Sequence, residues 1–175
     1  MTNREFDFND APHEEIHFTV LGSGSTGNAS LLEVGEYGLL IDAGLGPRQI
    51  ASRLKTFGKS WDEIDAAILT HVHADHWKDT TLHQFVRRDV RLHLHQEHLG
   101  RMRDRSLAFP ALEERRLIRL FDVNAPNPLG AIGLTVRPFR VSHDAGATFG
   151  FRFDLSGDGA RPVWSMTYAA DLGVW

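Results

Sequence analysis

The chain has 175 residues, is 42% hydrophobic and 24% charged, and carries a formal net charge of −4, which is typical of one globular domain. It contains no cysteine, so disulfides and thiolate metal sites are excluded. No apolar run approaches the roughly 18–20 residues that a membrane-spanning helix needs. Residues 1–15 are acidic and polar, unlike a secretory signal, so we expect a polar leader on a soluble, cytoplasmic protein that does not enter a membrane.

Apolar runs and turn residues predict the elements of the first half of the chain. One strand runs into the glycine-rich loop 22–28, and two further strands are joined by the tight turn Gly35-Glu36. Pro47 suits the first turn of a helix, which would present Ile50 and Leu54 on one face. The predicted elements are strands at 16–21, 29–34, 37–41 and 66–69, a helix from 47 to about 57, and a short helical turn at 61–64.

The second half of the chain alternates helical and strand patterns in the same way. The predicted elements are helices at 79–88 and 96–104 and strands at 90–94, 132–141, 147–155 and 162–168. The segment 114–119 fits neither pattern clearly. Strands with intervening helices, some of them joined by hairpins, indicate a mixed α/β domain.

The segment His71-Val72-His73-Ala74-Asp75-His76 places three imidazoles and a carboxylate directly after the predicted buried strand 66–69. Imidazole nitrogen and carboxylate oxygen suit zinc and neighbouring divalent metals, and α/β proteins often build sites where a strand leaves the sheet. His71 and His73 point the same way from an extended segment, whereas Asp75 and His76 leave in another direction. The segment therefore predicts a site for two adjacent metals; the alternative is a polar loop that happens to be rich in histidine.

Two further metal-type residues stand at predicted strand ends. His143 follows the strand 132–141, and Asp171 follows the strand 162–168. Each is weak evidence alone, but both repeat the placement of the first motif. A second run of histidines at 93, 95 and 98 has similar spacing but lacks the aspartate and belongs to another strand, so we interpret it as a sheet face and the start of a helix.

The ordered set formed by residues 71–76, His143 and Asp171 resembles the motifs of the metallo-β-lactamase fold superfamily. The apolar strand that ends in Asp42-Ala43-Gly44 also resembles the Asp-x-Gly strand of that superfamily. The resemblance covers nearly the whole chain, from about residue 18 to 173. It implies an αββα sandwich, an α/β architecture with two sheets between helical layers.

A finer resemblance is to the YycJ/WalJ-type branch, whose members are described as exonuclease-like. Three segments carry it: residues 21–28, 141–145 and 170–173.

The superfamily resemblance also implies two divalent metal ions, Zn²⁺ or Mn²⁺. His71, His73 and His143 would form one site, and Asp75 and His76 would form the second, with Asp171 bridging the two metals. The family normally adds one more histidine beyond this aspartate. Because the chain stops at Trp175, we expect residues 16–175 to be the N-terminal part of the sandwich, truncated before its second half, with the second site incomplete.

Two such ions hold a bridging hydroxide, lower its pKa, and clamp the entering and leaving oxygens of a phosphodiester. Asp75 is then the expected catalytic residue, because its carboxylate orients that hydroxide and accepts its proton. Ser25 and Asn28 lie in the glycine-rich loop, whose amides are candidates to contact a substrate phosphate; the alternative is a plain turn. We therefore expect a metal-dependent hydrolase that cleaves nucleic-acid phosphodiesters in an exonuclease-like manner.

Residues 87–119 hold nine arginines against five acidic residues, a local excess of four positive charges. Arginine suits phosphate recognition, so the expected partner is nucleic acid or another phosphoester; the alternative is a solvated face laced with ion pairs. Two other functions stay open: hydrolysis of a cyclic phosphodiester, lactone or thioester, and a non-catalytic metal-binding module if the chain ends naturally here. The sequence indicates no oligomeric state.

Overall fold

The computed structural model describes residues 15–131, 133–157 and 161–173. The polar leader predicted for residues 1–15 lies outside these ranges except for Glu15, and so does Ile132, the first residue of one predicted strand. In the described part of the chain no helix is both long enough and apolar enough to cross a membrane.

The described residues form ten strands and four α-helices. The strands are β1 (Ile16–Gly22), β2 (Ala29–Val34), β3 (Tyr37–Ile41), β4 (Ala66–Ile68), β5 (Arg91–Leu94), β6 (Ile118–Leu120), β7 (Asn127–Pro128), β8 (Leu134–Arg140), β9 (Phe149–Ser156) and β10 (Pro162–Tyr168). The helices are α1 (Pro47–Thr56), α2 (Asp79–Arg88), α3 (Leu99–Arg105) and α4 (Phe109–Glu114), and short 3-10 turns lie at Trp61–Glu63 and Gln96–His98.

The first sheet contains six strands in chain order, β1 to β6. β1, β2 and β3 pair antiparallel, whereas β3, β4, β5 and β6 pair parallel. Each parallel crossover contains at least one α-helix, as parallel strands require. The carboxyl ends of β3, β4 and β5 therefore lie along the same edge of the sheet, which is the edge that collects functional loops in such folds.

The second sheet is antiparallel and has the order β10, β9, β8, β7. One apolar core fills the space between the two sheets, where Phe149, Phe151 and Phe153 of β9 meet Leu32 and Ile41 of the first sheet. The opposite face of the first sheet carries a second core, to which the helices contribute; its helical members include Ile50, Leu54, Leu82, Phe85, Phe109 and Leu112. The layers are thus helix, sheet and sheet, and the predicted mixed α/β class is confirmed.

The second sheet ends at β10, which pairs with β9 and has no strand on its other side within the described ranges. Its residues alternate between half-buried side chains, Trp164, Met166 and Tyr168, and exposed ones such as Val163. This alternation places the half-buried set against the core between the sheets and leaves the other face of β10 to solvent.

Candidate metal centre

Four loops meet at the edge where β3 and β4 end. The chain leaves β3 through Asp42 to Gly44 and leaves β4 through the 71–76 motif, and the two backbones are joined by a hydrogen bond of 2.8 Å from Ala43 N to His76 O. The loop between β8 and β9 joins them because Phe149 N donates to Thr70 O at 3.0 Å. The segment after β10 is held by a bond of 2.8 Å from Gly173 N to Ser142 O.

Three histidines from two of these loops face one another. One nitrogen each of His71, His73 and His143 lies within 4.8 Å of the others. Their ring centroids are 4.9, 4.9 and 5.1 Å apart. His71 is fully buried, and His73 and His143 are half-buried. The fold therefore brings together the three residues predicted for the first metal.

A second group shares His71 and adds His76 and Asp171, again within 4.8 Å of one another. Asp171 Oδ2 lies 2.6 Å from His76 Nε2 and 3.6 Å from His71 Nε2. Asp171 has a φ of 50°, a left-handed conformation that is uncommon outside glycine. This carboxylate lies between the two histidines.

Asp75 lies beside the second group, with its Oδ2 3.5 Å from His76 Nε2. Asn28 holds this carboxylate, since its Nδ2 donates to Asp75 Oδ2 at 3.1 Å and its backbone N donates to Asp75 O at 2.7 Å. Gly44 makes the arrangement possible, because a Cβ at this position would lie 1.6 Å from Asp75 O. Asn28 therefore contacts two residues of the motif, since its Nδ2 also lies 3.0 Å from His76 Nε2.

The glycine-rich loop is less available to a phosphate than its composition indicates. Gly24 N donates to Asn28 Oδ1 at 2.9 Å, and Gly27 N donates to Gly24 O at 3.0 Å. With the amide of Asn28 bound to Asp75 O, three of the loop's N–H groups already have partners. Ser25 is exposed at the outside of the same loop.

The buried carboxylate of Asp42 helps to orient the histidines of the centre. Its carboxylate accepts hydrogen bonds from Thr70 N at 2.9 Å, from Thr70 Oγ1 at 3.0 Å and from His76 Nδ1 at 2.8 Å. Burial disfavours the imidazolium form of His76, but the hydrogen bond to Asp42 and the negative charges of Asp42, Asp171 and Asp75 together outweigh this and raise the pKa of His76. Because Nδ1 donates to Asp42, Nε2 of His76 is turned towards Asp171.

Thr70 extends this arrangement to His71. Thr70 Oγ1 lies 3.0 Å from His71 Nδ1, so the hydroxyl can accept from this nitrogen while it donates to Asp42. His71 Nε2 is then left unprotonated and faces His73 and His143. Hydrogen bonds of this kind fix the ring orientation of metal-binding histidines.

Comparison with known proteins identifies the family. A family model described as the beta-lactamase superfamily domain matches residues 37–175, more than half of the chain. The protein belongs to the beta-lactamase superfamily. The predicted metallo-β-lactamase fold is thereby confirmed, and proteins of this fold normally bind divalent metals.

Several relatives of this superfamily member are exonucleases by name. Exodeoxyribonuclease WalJ of Streptococcus pneumoniae serotype 2 (strain D39 / NCTC 7466) is 41% identical over 59 residues, which are 34% of this chain and 22% of WalJ. Exodeoxyribonuclease YycJ of Bacillus anthracis is 38% identical over 63 residues, which are 36% of this chain and 24% of YycJ. These matches bear out the resemblance to the YycJ/WalJ branch.

A metallo-beta-lactamase of Cronobacter sakazakii with a HARLDQ motif shares the fold. It superposes with a TM-score of 0.62 at 16% identity, and the match covers 93% of this chain and 63% of that one. The chain thus spans less than two thirds of this solved structure, and the matched segments are about a quarter of each curated relative.

The donor atoms of this superfamily member fit a divalent metal ion. Nε2 of His71 and Nε2 of His143 are buried and have no hydrogen-bond partner, and buried polar atoms without a partner are uncommon in proteins. Burial, reinforced by the neighbouring histidines, lowers the pKa of His71 to about 2. His71 is therefore neutral and keeps the lone pair that a metal requires.

The site opens into a cavity of about 470 Å³. Its lining residues are Ser142, His143, Asp144, Asp171, Leu172 and Gly173. The cavity is formed by the loop after β8 and the segment after β10, so it gives access to the side of the centre where His143 and Asp171 lie.

The second run of histidines lies elsewhere. His93, His95 and His98 are buried, and His98 Nε2 donates to Ala147 O at 2.8 Å, which ties the turn after β5 to the loop that carries His143. Within the described ranges, no group of residues suited to a metal includes any of these three.

Proposed function

We propose that the protein is a metal-dependent hydrolase that cleaves phosphodiester bonds of nucleic acid, in an exonuclease-like manner. The observation that carries the proposal is the pair of ligand groups that share His71, with Asp171 between His71 and His76. Two overlapping groups of this kind suit two neighbouring metal ions, and such ions serve in-line displacement at phosphorus.

In this proposal His71, His73 and His143 hold one metal, and Asp75 and His76 hold the other, with Asp171 common to both. When bound, the metals supply Lewis acidity and lower the pKa of the attacking water. Asn28 keeps Oδ2 of Asp75 occupied by a hydrogen bond, which leaves Oδ1 of Asp75 to accept the proton of that water. His76 is held in place by Asp42 and keeps Nε2 directed at the centre.

A nucleic-acid substrate is supported by the names of the WalJ and YycJ relatives and by the arginines of residues 87–119. Some of these arginines are engaged: Arg88 pairs with Asp62, Arg103 with Glu113 at 2.7 Å, and Arg115 with Asp89 at 2.8 Å. For these three arginines, the alternative interpretation of the segment as a solvated face with ion pairs applies.

Arg101 and Arg105 of α3 are exposed and have no ion-pair partner in the described part of the chain. α3 follows the turn that His98 ties to the loop of His143, so the start of this helix is joined to one loop of the centre, and Arg101 and Arg105 lie four residues apart on one face of the helix. These two side chains are therefore the best candidates for contacts with a phosphate backbone.

We expect the metal-loaded protein to degrade DNA or RNA in the presence of Mn²⁺ or Zn²⁺, and to do so less well at raised salt. Replacing both arginines, Arg101→Glu with Arg105→Glu, should weaken DNA binding measured by fluorescence anisotropy. It should also reduce the dependence of log K on log salt by about 0.7–0.9 for each phosphate that the variant no longer neutralises. The bound metal should stay unchanged.

The matched control is Arg53→Glu with Lys55→Glu, which makes the same change of net charge on the exposed side of α1. Equal weakening by both pairs would show that only overall charge matters and would contradict the α3 contact. Turnover of a lactone, thioester or cyclic phosphodiester without degradation of DNA or RNA at any salt or metal tested would refute the nuclease proposal.

A further inference from the structure

Asp144 faces the three-histidine group from the cavity side, although nothing in the superfamily motifs assigns it a role. It follows His143 in the loop after β8, and its side chain is 86% exposed. Its Oδ1 lies 3.3 Å from His143 Nε2 and 4.0 Å from His73 Nε2. Although this side chain is exposed, its carboxylate is directed at two imidazole nitrogens.

These contacts are not ordinary hydrogen bonds. Nε2 of His143 is buried and has no hydrogen-bond partner, in spite of the carboxylate oxygen 3.3 Å away. Two ligands of a tetrahedral zinc ion, each about 2.0–2.2 Å from the metal, are separated by about 3.4 Å. The separation of the Asp144 oxygen and the His143 nitrogen is thus that of two ligands of one ion.

The other two carboxylates of the centre have partners at or beside the second ligand group. Asp75 is held by Asn28, and Asp171 Oδ2 lies 2.6 Å from His76 Nε2. Asp144 has no hydrogen bond and no further ion pair with the described residues beyond its two histidine neighbours. It is therefore the carboxylate available to the side of the centre formed by His73 and His143.

We propose that Asp144 is a further ligand of the metal held by His71, His73 and His143, and that its carboxylate gives this site one negative charge. The three imidazoles are neutral ligands, so the carboxylates set the charge of the site, and Asp144 would add one negative charge to that of Asp171, which both metals share. The inference rests on the proposed function, because it presupposes a metal at the three histidines.

The test is the affinity of the protein for Zn²⁺, measured by competition with a chromophoric chelator, and the visible absorption of the Co²⁺-loaded protein. Asp144→Asn should lower the affinity of the three-histidine site by at least about 10-fold, because the loss of a group that only supports a metal ligand already costs about 10–100-fold. It should also change the intensity of the Co²⁺ bands, because an oxygen ligand is lost. Asp144→Glu, which keeps the carboxylate, should recover part of the Zn²⁺ affinity and part of the intensity of the Co²⁺ bands.

The matched control is Asp62→Asn, which removes one negative charge from a side chain that is 81% exposed and pairs with Arg88. Its Zn²⁺ affinity and Co²⁺ spectrum should equal those of the wild type. The unfolding temperature of each metal-free variant, measured in parallel, separates loss of a ligand from loss of the fold.

A Zn²⁺ affinity of Asp144→Asn within twofold of the wild type, with an unchanged Co²⁺ spectrum, would overturn this inference. His71→Ala distinguishes that failure from a failure of the metal centre. If His71→Ala loses metal and Asp144→Asn does not, only the role of Asp144 is refuted. If His71→Ala also binds Zn²⁺ as the wild type does, the proposed metal centre is refuted with it.

Discussion

Asp75→Asn is expected to reduce phosphodiester hydrolysis by about 10²–10⁴-fold, the usual contribution of a general base. An amide oxygen can still accept the hydrogen bond from Asn28, so the loop should keep its shape, but it cannot take a proton from water at neutral pH. The metal at His71, His73 and His143 should stay bound, because Asp75 is not one of the residues proposed to hold it. The measurements are the turnover number on a DNA substrate with Mn²⁺ and the metal content by elemental analysis.

The control for this variant is Asp62→Asn, which should retain full turnover. If Asp75→Asn is as active as the wild type, Asp75 does not move the proton. If it fails to fold, the carboxylate serves to hold the turn of the motif, as its hydrogen bond with Asn28 would also permit.

Asp42→Ala is expected to destabilise the protein by about 3–5 kcal/mol, the range for breaking a buried charged pair. Asp42, Thr70 and His76 are completely buried. Removing the carboxylate leaves Thr70 N and His76 Nδ1 without their acceptor in a site that water does not reach. The free energy of unfolding of the metal-free protein, from urea denaturation, is the quantity to compare.

Asp62→Ala gives the matched comparison, since Asp62 forms an exposed ion pair with Arg88 and should change stability by less than about 1 kcal/mol. A loss of stability in Asp42→Ala no larger than in Asp62→Ala would mean that the network behind the histidines is dispensable for folding.

Long, strongly patterned elements could be predicted from the sequence almost to the residue. α2 and β10 begin and end where predicted, because their apolar spacing and end signals are unambiguous. α4, by contrast, was not predicted. Its six residues are too short for a periodic signal, and the turn before it depends on Asp79 Oδ1, which accepts from Ser106 Oγ at 2.6 Å and from Ala108 N at 3.1 Å. Such tertiary contacts leave no local pattern.

β6 and β7 are strands that are also too short to give a clear pattern in the sequence. β6 has three residues, two of which lie in the segment 114–119, whose pattern was ambiguous, and β7 has two residues. Strands this short owe their existence to the neighbour that they pair with, here β5 and β8.

The residues of the candidate centre stood out in the sequence because most of them are contiguous, but the distances between them could not be predicted. The predicted second site did not include His71, whereas His71 Nε2 is 3.6 Å from Asp171 Oδ2 and within reach of His76. Ring orientation decides this, and Thr70 sets it through a hydrogen bond that spacing alone does not show. Asp42 acts on His76 from 34 residues away; its position at a strand end was the available signal.

Asn28 makes contacts that the sequence did not indicate. The glycine-rich loop predicted a phosphate contact, but the amide of Asn28 and those of Gly24 and Gly27 are bonded within the protein. Asn28 reaches the motif because Gly44 lies very close to Asp75 O. This arrangement depends on the packing of three separate loops.

The metal content of wild type and His71→Ala tests the central claim most directly, because His71 belongs to both ligand groups. Both proteins are loaded with Zn²⁺ or Mn²⁺, dialysed and subjected to elemental analysis, with His83→Ala, a half-exposed histidine of α2, as the control. The structure predicts that wild type and His83→Ala retain metal and that His71→Ala, still folded, retains much less. Equal retention by all three proteins would contradict a metal centre at this edge of the sheet.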